Sequence, residues 1–394
     1  MGQATDFNRL RAKRKRNLFL RRLLVLALIA GVIFAALSLS TALAERQLPT
    51  LATNFFGGLG GPGFPVRMPA GTLEQVRALG GDIAVINGAN LHLYNRRGRE
   101  LLSAQRVGQG AILLTAGNRM LIYTIGGQGF SIYFQNRLLM DGEHDNQIRA
   151  AALGRQGNYA IVSSTMQFRS QLTVFTEGFE ERFQWNSQEL VQIAALCPGG
   201  NGVAAGSIST QGGLLYSRVT VFALDRRDPI AELVFANQLI LGLEYLSEGR
   251  VAVITDRGLR VVDTGSGRVI NSYDIQGGVV ASSRIEDGYV LLLWHNHEYR
   301  AQAAILFDAR GQELGRADPG AAVQDMQVGS GGAYILTATG ITRYGRAMDQ
   351  LGKFEQTGIQ RILLAQGVLY YFTDDEIRVL GDLYRSEDAS YQLG

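Results

Sequence analysis

Short apolar runs separated by tight polar turns recur along most of the chain. "IAVINGANLHLYNRRGREL" at 83–101 reads as a strand, a tight turn, a second strand, then a polar glycine turn into a third. "VAVITDRGLRVVDTGSGRV" at 251–269 has the same form, with Tyr94 corresponding to Val262. Six further copies run through 129–141, 170–183, 217–233, 301–315, 340–354 and 375–385. The residues closing the equivalent strand are Tyr94, Phe134, Phe175, Phe222, Val262, Phe307, Tyr344 and Leu380, a mean spacing of about 41 residues. Another apolar run precedes many of these hairpins: "AILLTAG" at 111–117, "IRAAALG" at 148–154, "LVQIAALC" at 190–197, "LILGLEYL" at 239–246 and "IQRILLA" at 359–365. Four short strands at this period are the pattern of a β-propeller blade, and the extra run suits its innermost strand, where small and aliphatic side chains crowd the axis. The expected fold is all-β, an eight-bladed propeller over 72–394. Seven blades stay open, because the terminal copy at 368–380 can be completed by "GFPVRMP" at 63–69. That pairing would tie both ends of the ring and remove exposed edges.

A different pattern precedes the repeats. Leu23 to Ala44, "LLVLALIAGVIFAALSLSTALA", holds no charge and, at ~1.5 Å rise per residue, a helix this long spans a ~30 Å hydrocarbon core. Residues 1–44 carry eight basic side chains and one acid, Asp6, all before Leu23; 30 basic and 34 acidic residues remain beyond Ala44, so the sequence pI near 9.0 belongs to the tail. By the positive-inside rule, 1–22 is a cytoplasmic tail, 23–44 a single transmembrane helix, and the rest is exported. Ala42-Leu43-Ala44 has the form that signal peptidase cuts, but the apolar run exceeds a usual signal core, which favours a retained anchor. Residues 45–71 read as a Gly/Pro-rich linker.

Composition narrows the chemistry. With 49 glycines and 7 prolines among 394 residues, the chain is rich in turns. Its one cysteine, Cys197, excludes an intramolecular disulfide and a cysteine-based zinc cluster, and reads as a buried thiol. Asp263-Thr264-Gly265 imitates an aspartic-protease loop, but such an enzyme needs two carboxylates sharing a proton, and no second DTG exists. The triplet is therefore expected in the turn between the third and fourth strands of a blade, where Asp and Gly are favoured. In "WHNHE" at 294–298, His295 and His297 share a strand face beside Glu298, but no third metal ligand is evident, and a hairpin turn is the expectation. Asp374-Asp375-Glu376 reads as a hairpin tip rather than a calcium cage. Gly58, Gly60 and Gly63 satisfy G-x-G-x-x-G without the strand and helix a dinucleotide site needs. Polar residues that could do chemistry are scattered among the turns, without repetition at one register. No catalytic, cofactor-binding or metal residue is assigned, and no cofactor is expected.

The basic tail, the span, "GFPVRMPAGTLEQVRALGGDIAVINGANLHLYNRRGREL" at 63–101 and the repeats to Leu380 together resemble membrane-anchored bacterial propellers of the WD-repeat-like and quinoprotein-like superfamily. More closely, they resemble a family of single-span proteins with an exported propeller, known only as a domain of unknown function. Two departures stand out. Quinoprotein dehydrogenase blades each carry a docking tryptophan, whereas this chain has only Trp185 and Trp294; the Gly-His and Trp-Asp pairs of WD repeats do not recur. The resemblance implies a single-pass protein of the bacterial cytoplasmic membrane, N-terminus inside. Its propeller would act as a binding or scaffolding module for an envelope protein or wall polymer, and not for nucleic acid. The alternative is an envelope hydrolase of carbohydrate or peptide with its site at the central channel. Clustered carboxylates with raised pKa at the channel mouth would favour the hydrolase; an apolar or aromatic patch would favour the scaffold.

Overall fold

The computed structural model describes residues 61–105, 110–296, 298 and 301–380. The basic tail at 1–22, the span at 23–44 and most of the linker lie outside the described residues. Among the described residues there is no helix long and apolar enough to cross a membrane.

Thirty-two strands, β1 (Val66–Arg67) to β32 (Glu376–Val379), form eight four-stranded antiparallel sheets. The first seven blades are consecutive meanders. Blade one is β2 (Leu73–Leu79), β3 (Asp82–Asn87), β4 (Asn90–Tyr94) and β5 (Glu100–Gln105); six more follow in chain order up to β29 (Gln350–Glu355). Blade eight is composite: β30 (Arg361–Ala365), β31 (Val368–Phe372) and β32 come from the end of the described chain, and β1 supplies the outermost strand. The innermost strands, β2, β6 (Ala111–Ala116), β10 (Ile148–Leu153), β14 (Leu190–Leu196), β18 (Ile240–Ser247), β22 (Val279–Glu286), β26 (Val323–Gly329) and β30, each neighbour the next, and β30 returns to β2. The ring is closed and has eight blades.

Why these residues make this ring follows from burial. A blade inside a propeller covers both of its faces with neighbouring blades, so its middle strands cannot alternate apolar and polar. Indeed Ile83–Asn87, Tyr159–Ser163 and Val251–Thr255 are buried at every position, whereas the outer strand β29 alternates. The core is accordingly divided. One apolar cluster fills each of the eight interfaces, for example Ile86, Leu93, Leu113 and Ile122 between blades one and two, or Tyr94, Tyr370, Phe372 and Ile377 between blades eight and one. The strand-closing residues Tyr94, Phe222, Val262, Phe307, Tyr344 and Leu380 are all buried.

Closure rests on β1. Val66 pairs with Ile377 and Arg67 with Glu376, and the Met68 amide donates to the Asp375 carbonyl at 2.7 Å. Phe64 packs on Tyr370 with ring centroids 5.2 Å apart. Gly98, in the turn after β4, makes room for this strand: its φ is +72°, and a Cβ there would collide with Val66 and the Gly63 carbonyl. Gly98→Ala should therefore destabilise the propeller by about 1–3 kcal/mol. Hydrogen exchange should show protection falling first at Ile377 and Arg378; unchanged protection there with a lowered Tm would place the cost elsewhere than the seam.

Candidate functional site at the channel mouth

Six innermost strands carry a one-residue bulge against their neighbour, at Leu73/Gln75, Ile148/Ala150, Val191/Ile193, Ile240/Gly242, Val280/Ser282 and Val323/Asp325. A bulge re-aims the residues that follow it. Two residues beyond the re-entry point stand Arg77 in blade one, Glu244 in blade five, Arg284 in blade six and Gln327 in blade seven. Polar groups thus repeat at one register in four of these six strands, while Ala152 and Ala195 keep the small side chains expected on the innermost strand. The expectation of no repetition is corrected in blades one, five, six and seven, where the innermost strand packs on its neighbours only in part and its remaining side chains are less than fully buried.

Part of this polar set stitches adjacent blades. Gln75 donates to the Ala111 carbonyl at 2.5 Å and accepts from the Leu113 amide at 3.1 Å. Arg284 donates to the Met326 carbonyl at 3.0 Å and to the Asp325 carboxylate at 3.3 Å. Asp325 in turn accepts from the Ile362 amide at 3.0 Å, and Gln327 donates to the Ile362 carbonyl, also at 3.0 Å. These bonds hold blade one to two, six to seven, and seven to eight.

The remainder converges on a cavity of about 420 Å³ lined from blades three to six. Arg155 enters from the turn after β10, Pro198 from the turn after β14, Glu244 to Glu248 from β18 and its turn, and Ile285 to Gly288 from β22 and its turn. These are the hairpin turns between first and second strands, so the cavity opens at one end of the channel. The Glu244 side chain is exposed to solvent at this opening, although protein atoms crowd the surroundings of its carboxyl. Burial, and then the Glu286 charge, push its pKa up to about 7, against the opposing pull of Arg155 and Arg77. Burial and then Asp287 likewise raise Glu286, opposed by Arg155, Arg284 and Arg77. Arg77 is lowered by burial and by Arg284. Charges from blades one, three, five, six and seven sense one another across the axis.

A carboxyl poised near neutrality can hold or release a proton in response to what enters, and the guanidinium of Arg155 can balance it. The hydroxyl of Tyr245 and the thiol of Cys197 stand behind this wall, both pushed up by burial. Cys197 is the buried thiol expected, its Sγ 3.5 Å from the Glu248 carbonyl.

The sequence motifs lie elsewhere. Asp263 ends β20 (Gly258–Asp263), and its carboxylate accepts from the Ser266 amide at 2.8 Å and hydroxyl at 2.7 Å, in the turn to β21 (Arg268–Asp274). These bonds, hydroxyl first, hold its pKa below the usual carboxylate range. It is a turn cap. His295 lies in β23 (Tyr289–Asn296) opposite Gln302; His297 is outside the described residues, and Glu298 is exposed in the hairpin turn. Among the described residues no three His, Cys, Asp or Glu side chains group as a metal site. Asp374 and Asp375 form the tip between β31 and β32, where Thr373 Oγ1 accepts from the Glu376 amide at 3.2 Å. Gly58 and Gly60 are outside the described residues; Gly63 belongs to the closing segment, its amide bonded to the Arg97 carbonyl at 2.9 Å. Trp185 packs on Phe222 between blades three and four, and Trp294 is half-buried in β23.

A family pattern described as a family of unknown function, DUF5711, matches residues 68–376. The chain belongs to the DUF5711 family. No curated protein sequence matches it. Among solved structures it is similar to the computationally designed protein Ika8, with TM-score 0.58 and 12% identity over 80% of this chain and 98% of that one. It is also similar to a eukaryotic initiation factor, with TM-score 0.53 and 11% identity over 78% of this chain and 84% of that one. At such identities the likeness concerns the propeller fold alone.

Two outcomes follow for this DUF5711 propeller. Between about pH 4.5 and 7 the folded chain keeps the Glu244 proton that the unfolded chain has released, so stability falls as pH rises through that window. Discounted for the water in the cavity, the loss is on the order of 1–2 kcal/mol. Thermal melts from pH 5 to 8 should show this decline in the wild type and flatten it in Glu244→Gln; an equal slope in both would remove Glu244 from that role. Asp263→Asn should leave Tm within about 2 °C and should neither create nor abolish acid proteolysis. Pepstatin-sensitive cleavage lost on this substitution would restore the protease reading.

Proposed function

We propose that this chain is a membrane-anchored, extracytoplasmic binding module of the bacterial cell envelope, held by the span at 23–44 and meeting its partner or ligand through the channel mouth. The observation that carries the reading is the open cavity at the channel mouth, where charged groups of both signs from separate blades converge. Its volume falls within the ~300–1,000 Å³ usual for ligand sites, and convergent polar groups on rigid strands supply orientation. The basic excess before the span supports an outward-facing propeller, and tethering would raise the local concentration of envelope partners.

A second reading has a specific observation in its favour: two carboxyls of raised pKa, Glu244 and Glu286, stand at the channel mouth, as an envelope hydrolase of carbohydrate or peptide would require. Binding is preferred because a hydrolase divides its carboxyls into an acid and a base, pushed apart by unlike surroundings. Here burial and acidic neighbours push both in the same direction.

Crosslinking in intact cells, followed by mass spectrometry, should capture an envelope protein or wall polymer through the face bearing Arg155 and Glu248. Protease added to spheroplasts should digest the propeller. Full protection would overturn the topology; turnover of a glycoside or peptide at kcat/KM above about 10⁴ M⁻¹s⁻¹, abolished in Glu244→Gln, would replace the binding module with the hydrolase.

A further inference from the structure

The end of the ring opposite the channel mouth carries apolar side chains that the fold leaves uncovered. This end is built from the turns between second and third strands and from the connections between blades. Ile125 follows β7 (Arg119–Thr124), and Met166 lies in the turn between β11 (Tyr159–Ser163) and β12 (Ser170–Phe175). Leu214 stands at the tip of the hairpin formed by β15 (Gly202–Gln211) and β16 (Leu214–Ala223); Leu239 precedes β18, and Leu241 is its second residue. All five are exposed, and they fall on the adjacent blades two to five. The other large hydrophobic residues exposed among those described, Leu138, Val234, Val269, Ile270, Leu314 and Leu351, are dispersed along outer strands, and none lies in a mouth-end turn. Exposed apolar side chains are ordinary when scattered singly; a run of them across four neighbouring blades marks a contact surface.

The surface is held in shape. Thr210 and Gln211 pair with Leu215 and Leu214 beyond the last pairs that β14 and β17 (Ala231–Ala236) make with this hairpin, so its tip projects. At the hairpin's base the Glu189 carboxylate accepts from the Ser207 hydroxyl, from the Tyr216 hydroxyl at 3.1 Å and from Arg218 Nε at 3.1 Å. Thr165 Oγ1 accepts from the Phe168 amide at 3.0 Å, closing the turn that holds Met166 outward. The Leu239 amide donates to the Asp256 carboxylate at 2.9 Å. A surface fixed before contact loses little conformational freedom on binding.

Charge selects the occupant. Beyond Glu189, the described turns at this end hold Asp145, Asp256, Glu298, Asp318, Asp374 and Asp375 against Arg169 and Arg257; Arg149 and Arg361, near the starts of innermost strands, leave the balance acidic. A second copy of this end would set acid against acid, and an anionic bilayer would be repelled. The arginines Arg96, Arg97 and Arg99 stand instead at the mouth end, where the Gly63 amide bonds the Arg97 carbonyl as the described chain enters the ring. We infer that the end opposite the mouth docks a protein segment whose apolar face, bordered by lysine or arginine, covers Ile125, Met166, Leu214, Leu239 and Leu241. The apolar residues supply contact area, with Met166 adapting to the partner's shape. The acidic surround supplies steering and register.

This surface is separate from the channel mouth and does not depend on what the mouth binds. Photoactivatable benzoylphenylalanine would replace Met166 or Leu214 in the full-length chain, expressed from its own gene, with Ile270 on β21 as the control position. Irradiation of intact cells should join the first two positions, and not the third, to one protein. The joined segment, located by mass spectrometry, should be apolar on one face and carry lysine or arginine beside it. A synthetic peptide of that segment should bind the purified full-length chain less tightly as salt rises. The exposed pair Met166→Asp/Leu214→Asp should weaken the peptide at least about tenfold with Tm unchanged, and Met166→Lys/Leu214→Lys should weaken it further. The surface falls if Met166 and Leu214 positions capture no protein, capture lipid or capture a second copy of this chain. It falls equally if the captured segment lacks basic residues, or if the aspartate pair binds the peptide like the wild type. Capture at the mouth alone would overturn this surface and leave the binding module above standing; capture here alone would leave this surface standing and overturn the mouth as the meeting place.

Discussion

The pairing of β1 with β32 is the constraint on which the rest of the molecule depends. Seven blades are each made of one stretch of chain, but a ring of such units would leave a three-stranded eighth blade with an open edge. Val66 and Arg67 close it, with Phe64 on Tyr370 behind them. Because each apolar cluster is shared by two blades, the position of any blade is set by its neighbours and ultimately by this seam. The channel mouth inherits its geometry from that closed ring: carboxyls from blades five and six face guanidiniums from blades one and three only while the circle is complete.

A propeller axis is an unusual place to keep charge. Residues buried between blades must be apolar or fully bonded, and Gln75, Asp325 and Gln327 satisfy that rule by bonding backbone of the next blade. Residues facing the axis escape the rule because water enters from the ends. Protein crowding around their carboxyls raises the pKa of Glu244 and Glu286, although both side chains reach solvent. The same crowding lets charges on opposite blades influence one another.

Much of the architecture was legible in the sequence. Apolar runs such as "AILLTAG" and "IRAAALG" coincide with β6 and β10, and Tyr94, Phe134, Phe175, Phe307 and Tyr344 do end their strands. These signals are strong because middle strands are buried on both faces, so their hydrophobicity is continuous. The innermost strands β2, β22 and β26 were harder to see, since Arg77, Arg284 and Asp325 interrupt their apolar pattern. The candidate site was not legible. Arg77, Arg155, Glu244 and Glu286 are spread over four blades with no characteristic spacing, and only the closed ring brings them together. By contrast, the residues that looked chemical in sequence, Asp263-Thr264-Gly265 and Asp374-Asp375-Glu376, sit at turns because those residue types suit turns.

The seam also dictates when the molecule can be finished. Its two partners, Val66 and Ile377, stand near opposite ends of the described chain, so the last backbone pairing must wait for nearly every intervening residue. Blades one to seven are local meanders and can each form as soon as their own strands are available, but they would accumulate as an open arc with unsatisfied edges. Completion is therefore a late, all-inclusive event, and a chain halted before Glu376 would display an unclosed blade as the mark of its immaturity.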